Sequence, residues 1–125
     1  MYRIEKIGEN KFYIKVLGLF PPSVAKRCIK EFRKKTKKLE EFSAIIDGLD
    51  FIFLNLESFE ILLDFLKENN ERLNRSSWII SKNPPLDIEI ETLLKRAESP
   101  KRKIVETLEE AKEWIGVNEI TIIKD

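Results

Sequence analysis

Asp47 and Asp50 stand three residues apart behind the apolar run Ala44-Ile45-Ile46, with Gly48 between them. Two carboxylates at such spacing are the beginning of an acid–base pair or a divalent-cation site. No third ligand is evident nearby, and an Asp closing a strand ordinarily caps the following loop, which is the reading preferred here. Other reactive side chains are scattered. Cys28 sits among apolar residues at helical spacing, as a small core residue does, and not in the electropositive setting of a thiolate. Ser58, Ser76 and Ser77 offer hydroxyls for phosphorylation and nothing further. The chain has no histidine. That removes the commonest general base, the Ser–His and Cys–His nucleophile pairs, and every histidine-containing zinc site. Four separated glycines form no phosphate-cradling loop. The expectation is a protein with no catalytic residues, no metal and no cofactor.

The 125 residues, 42% hydrophobic and 36% charged, suit a single globular domain large enough to bury a core without staples. A net charge of +1 exerts no general pull on nucleic acid, and none is expected as a partner. A lone cysteine fits a reducing compartment. No apolar run approaches the roughly 18–20 residues of a membrane span, and the start of the chain lacks a signal-peptide pattern. A cytoplasmic location is expected.

Alternation over residues 2–7 and 11–17, joined by Gly8-Glu9-Asn10, predicts an N-terminal β-hairpin. Gly18 and Pro21-Pro22 end it, and Ser23 is placed to cap a helix reaching about Lys38 through Val24, Cys28 and Phe32. Residues 43–47 read as a strand covered on both faces. Asn55 is a good N-cap for a helix over 56–70 with a stripe of Phe59, Leu62, Leu63 and Leu66. Residues 77–80 are a second buried strand, followed by Asn83-Pro84-Pro85 and a helix capped by Asp87. Residues 103–105 make a short strand. Thr107 with Glu110 is a capping box, and Gly116 stops the helix at Ile115. Residues 117–124 alternate enough for one more strand. The order is β-β-α-β-α-β-α-β-α: an α/β domain with a mixed, mostly parallel sheet and four helices.

Several of these segments resemble the STAS domain, the sulphate-transporter and anti-sigma-factor-antagonist family with its SpoIIAA-like fold. Tyr13-Ile14-Lys15-Val16-Leu17-Gly18 is similar to the family's second strand and terminal glycine. Ala44-Ile45-Ile46-Asp47 resembles the central strand ending in Asp. Trp78-Ile79-Ile80-Ser81 with Pro84-Pro85 resembles the next strand and its turn, and Val105-Glu106-Thr107-Leu108-Glu109-Glu110-Ala111 the last strand and helix start. The likeness is collinear from about Ile4 to Ile115. Antagonists of this family carry Asp-Ser-Ser-Gly before the second helix, with one serine phosphorylated by the partner kinase. Here Asn55-Leu56-Glu57-Ser58 takes that place, so Leu56 or Glu57 occupies the phosphorylated position. The stretch before it is also about two residues longer than the family norm. The resemblance implies a non-enzymatic regulatory module that binds a protein, either an anti-sigma-factor or kinase-like partner or a membrane transporter component, without the usual serine switch.

Three surfaces are candidates. The first helix carries a basic face of Lys30, Arg33, Lys34 and Lys37, most simply a solvated side whose stems cover the core. The second helix carries the opposite sign through Glu57, Glu60, Asp64 and Glu68, so the two helices are expected to attract one another within the molecule or across a homodimer. Leu49-Asp50-Phe51-Ile52-Phe53-Leu54 is either core or docking patch. Exposing both phenylalanines would forfeit roughly 1.5–3 kcal/mol each, which favours burial, with alternation free to send one ring each way. The partner-binding set expected is Phe51, Phe53, Asn55, Glu57, Ser58 and Glu60. A nucleotide or lipid pocket at the strand C-termini is the alternative.

Overall fold

The structure, a computed structural model, describes residues 1–80 and 83–120. Strands β1 (Tyr2–Lys6) and β2 (Lys11–Leu19) form the hairpin, followed by α1 (Pro22–Thr36), β3 (Phe42–Phe53) and α2 (Leu56–Glu68). Then come β4 (Leu73–Ile80), α3 (Pro84–Ala97), β5 (Arg102–Val105) and α4 (Leu108–Ile115). The strands lie side by side in the order 1-2-3-4-5; β1 is antiparallel to β2 and the other pairs are parallel. The expected element order and sheet type are those observed.

Consecutive parallel strands joined by right-handed crossovers must place their helices on one side of the sheet. The core follows that rule. Val16, Phe51 and Trp78 pack with residues of α1, α2 and α3 such as Cys28, Leu63 and Leu93. Ile45, Ile79 and Val105 face the other way and meet Ala111 and Ile115 of α4. Near the first-strand ends of that inner side, Phe32 of α1 stands edge-on to Phe12, Phe42 and Phe65, with centroids 5.3, 5.1 and 5.8 Å away. Such pairs add to the burial of a ring that is almost inaccessible.

Helix ends divide into legible and illegible ones. Asn55 accepts the Ser58 N–H at 2.8 Å, Thr107 accepts that of Glu110 at 3.1 Å, and Gly116 turns left-handed at φ 79°, all as expected. Ser23 and Asp87 do not cap. Pro22 and Pro84 occupy the first helical positions instead, with Pro21 and Asn83 as caps that make no side-chain bond. Proline presets the helical φ and lacks the N–H that a cap would satisfy. The helices therefore start earlier than their polar residues suggest.

The larger correction concerns β3, which does not stop at Asp47 but runs to Phe53. Against β2, Lys15 and Leu17 face Asp47 and Asp50, while Gly18 and Leu19 face Phe51 and Phe53. Each step gives β3 one residue more than β2, so the strand absorbs two extra residues as two bulges. Gly18 lies opposite the second bulge with φ 62°, a conformation glycine adopts without steric cost. Residues 117–120 form no strand; Val117 and Ile120 lean on the α4 core instead. The remainder of the strand expected over 117–124 lies outside the described residues.

Phe32→Ala is expected to lower stability by about 3–5 kcal/mol, read from urea unfolding, because a buried ring with three aromatic neighbours leaves a cavity. A loss under about 1 kcal/mol would refute this account of the core. Removing residues 117–125 should lower the melting temperature by uncovering Ile115 and its neighbours; unchanged melting would show that segment to be dispensable.

Candidate functional site

Asp47 lies on the α4 side of the sheet and is buried. Its Oδ2 accepts the Tyr13 hydroxyl and the Lys15 ammonium (3.3 Å), and its Oδ1 accepts the Leu49 N–H at 3.1 Å. Lys15 also reaches the exposed Asp50 carboxylate at 3.0 Å. Sequence order pairs Asp47 with Asp50; the fold joins both to a lysine and commits Asp47's oxygens to neighbours. Burial raises the Tyr13 hydroxyl above its ordinary pKa, and its hydrogen bond to Asp47 and that residue's charge add to the shift. Burial by itself would lower Lys15, but its hydrogen bonds and charge interactions with Asp50 and Asp47 outweigh that and raise it. A raised tyrosine and a raised lysine hold their protons at neutral pH, so neither serves as a base there. This cluster fastens β2 to β3 at the first bulge.

The bulges decide what lies beyond it. Before them, Ile45 and Asp47 face α4 while Ala44 and Ile46 face the helices. In an unbroken strand Phe51 and Phe53 would share a face. The first bulge resets the phase so that Phe51 joins Phe20 in the helix-side core, their rings edge-on at 6.0 Å. The second separates Phe53 from Phe51, leaving Ile52 and Phe53 63% and 52% exposed before Leu54 returns to the core. One phenylalanine does go each way, through bulging and not through alternation. Leu19, the register partner of Phe53, is exposed too, and so are Leu49 and Leu56. Thus five of the eight large apolar residues exposed among the described residues gather at one end of the molecule, where β2 and β3 finish and α2 begins.

Of the other expected site residues, Asn55 is the half-buried cap of α2. Glu57 is exposed in the first turn with no partner among the described residues. Ser58 does not belong to the surface: it is fully buried and donates to the Phe20 carbonyl at 2.6 Å, tying α2 to the end of β2. Ser76 and Ser77 are buried as well; one accepts the Trp78 indole N–H at 3.1 Å, the other donates to the Ala111 carbonyl at 3.1 Å. Glu60 pairs with Arg96 of α3 at 3.4 Å. Burial pushes the Cys28 thiol up to about 12, with the Glu31 charge adding to it.

The opposite charges of α1 and α2 do meet within the molecule. Arg33 clasps Glu68 at 2.9 Å and lies over the Phe65 ring, while Lys30, Lys34 and Lys37 remain on the exposed face. Sequence reasoning does not mark Leu19, and it marks Leu56 only as the residue in the serine position, not as an exposed apolar anchor. Both sit at element boundaries, where neither the strand nor the helix period says which way a side chain points. A ligand crevice at the strand C-termini depends on a reversal of strand order, and the order 1-2-3-4-5 has none.

No family model matches the chain, and no curated protein matches it. The architecture is that of the SpoIIAA-like α/β domains. It is similar to the crystal structure of an uncharacterized protein of the DUF3478 family, with a SpoIIAA-like fold, from Shewanella loihica PV-4. The TM-score is 0.70 over 91% of each chain, at 16% sequence identity. At that identity the likeness speaks for the fold. It is the fold that the STAS resemblance implies. No helix among the described residues is long and apolar enough to cross a membrane.

Tyr13 and Lys15 keep their protons in the fold at pH values where the unfolded chain, with groups of ordinary pKa near 10, releases them. Their contribution to stability is therefore complete below about pH 10 and declines as pH rises past it. Tyr13→Phe should show a shallower decline between pH 8 and pH 11 in urea midpoints; a slope equal to wild type would refute the linkage.

Proposed function

We propose that the chain is a non-enzymatic module that binds another protein at the apolar end formed by Leu19, Ile52, Phe53 and Leu56. The observation behind this reading is the concentration of exposed apolar side chains where a bulged strand hands over to α2. Burying Ile52, Phe53 and Leu56 against a partner is worth roughly 1.5–3 kcal/mol each before the costs of association. The rim holds Glu57 and Asp50, both acidic and exposed, the latter paired with Lys15. A partner presenting apolar anchors flanked by basic residues fits that rim, whereas an anionic membrane surface would be repelled. The STAS resemblance adds that antagonists of that family meet their partners around this helix. It suggests regulation of an anti-sigma-factor type, without a phosphorylated serine: Leu56 or Glu57 stands at that position, and the next hydroxyl, Ser58, is spent inside the core. A transporter component would use the same surface, and partner identity decides between the two.

Phe53→Asp and Glu57→Lys alter exposed side chains and should leave melting within about 2 °C of wild type. In affinity capture from source lysate, a protein retained by wild type should be lost with Phe53→Asp and weakened with Glu57→Lys. Retention that is equal for all three would refute this surface; retention lost only with Phe53→Asp would confine recognition to the apolar anchors.

A further inference from the structure

The net charge of +1 conceals an uneven distribution. Lys26, Arg27, Lys30, Lys34, Lys37 and Lys38 are all exposed along α1 and the turn that follows it. Lys37 keeps helical dihedrals, φ −53° and ψ −39°, so the stripe continues past Thr36. At about 3.6 residues per turn the six cations fall within roughly a third of the helix circumference. Ala25, Cys28, Ile29 and Phe32 are buried on the other side. Lys26, Lys30, Lys34 and Lys38 stand four residues apart, about 6 Å per step along the axis.

Nothing in the fold neutralises this stripe. Among the described residues none of the six enters an ion pair; Arg33, bound to Glu68, is the one cation of α1 that does. Like charges four apart on a helix repel. The helix dipole favours the cations of the last turn but opposes Lys26, and the first turn holds no acid. On the neighbouring α2, Glu68 is held by Arg33 and Glu60 by Arg96. Glu31 lies on the flank of α1 that faces Tyr2 and Arg3 of β1. Exposed glutamates do occur at Glu106, Glu109, Glu110 and Glu113, but on and just before α4, across the sheet. That is beyond the roughly 8 Å over which a charge is felt at physiological salt.

We propose that the outer side of α1 rests on a membrane surface rich in anionic lipid. Such a surface attracts a polybasic helix through charges lying within the screening distance, whatever the net charge of the whole protein. Five of the six cations are lysines, compact hydrated charges on flexible stems that reach a plane from different heights. A partner recognised by forked hydrogen bonds would be met by arginine instead. Duplex nucleic acid fits less well. A helix about 10–12 Å across fills a major groove of about 12 Å, but α1 is flanked by α2 and β1 and offers only its outer side. Its exposed positions hold no aromatic ring for stacking on single strands. They hold no apolar residue either, so the contact is electrostatic and without insertion. The face is separate from the apolar docking end, and the proposal does not rest on that reading.

The test is cosedimentation of the full chain with phosphatidylcholine vesicles, with and without about one third phosphatidylglycerol. At about 0.05 M salt the protein should sediment with the anionic vesicles only, and about 0.5 M salt should release it. Lys30→Glu with Lys34→Glu changes two exposed side chains and should lower the partition at least tenfold. Lys95→Glu with Lys103→Glu, which reaches the same net charge from other elements, should stay within about threefold of wild type. No sedimentation with anionic vesicles at low salt overturns the proposal, and so does equal sedimentation with the neutral ones. Equal losses in the two double variants would make net charge the cause and overturn the assignment to α1. Binding that survives high salt means insertion elsewhere and overturns it too. Tighter binding to duplex DNA than to the anionic vesicles at equal salt would make nucleic acid the partner instead.

Discussion

Ile45 is fully buried on the α4 face of the sheet and Ala44 beside it on the helix face, and their strand is hydrogen-bonded along both edges, to β2 and to β4. A strand held in this way cannot slide, because a shift of one residue would exchange every inward and outward side chain. Register is thus fixed from Ser43 to Asp47, and whatever excess length β3 carries must be taken up beyond that point. It is taken up as two bulges against β2, each of which turns the pleat by half a period. The buttress of Tyr13, Lys15 and Asp47 sits at the first of them. Everything presented at the apolar end, from Leu49 to Leu56, inherits its direction from these two steps.

The same sheet settles where the core is least complete. Strands laid down in chain order send three crossover helices to one side and leave α4 to cover the other. Three helices spaced over one face meet imperfectly above the middle strands, and an apolar cavity of about 100 Å³ lies there. Two arginines entering from the loops and strand starts finish the helices that bound it: Arg72 donates to the Thr36 and Leu39 carbonyls at the end of α1, and Arg102 to Leu66 in the last turn of α2. Neither helix ends on a glycine in the left-handed conformation, so orphan carbonyls are satisfied from a distance instead.

Much of this fold is legible in the sequence because its signals are local. The hairpin, the Asn55 cap, the Thr107–Glu110 box and the Gly116 stop each depend on residues within a few positions of one another. The buried run Ala44-Ile45-Ile46 is equally plain, since a strand covered on both faces tolerates little polarity. The extent of β3 is not legible. Gly48 and Asp50 read as a turn, and only pairing with β2 reveals a strand carried past them. Ser58 reads as a surface hydroxyl at a helix start, yet its partner is a carbonyl 38 residues earlier in the chain. Arg102 gives no local sign of burial, because a basic residue in Lys101-Arg102-Lys103 looks solvated until β4 and α2 are laid beside it. The site was half visible for the same reason: Phe53 and Glu57 belong to segments with strong patterns, while Leu19 and Leu56 stand where patterns change.

The two outermost strands among the described residues, β1 and β5, are short: five and four residues. Arg3 and Glu5 are paired along β1, and Lys103 projects from β5 beside the Trp114 ring. Short edges carrying charge discourage the addition of a foreign strand. A molecule that shows this much apolar surface at one end would invite aggregation if its margins were also sticky. Confining the exposed apolar groups to a corner built by irregular backbone, where no extended ladder is offered, lets the protein keep a greasy contact while resisting fibrous self-association.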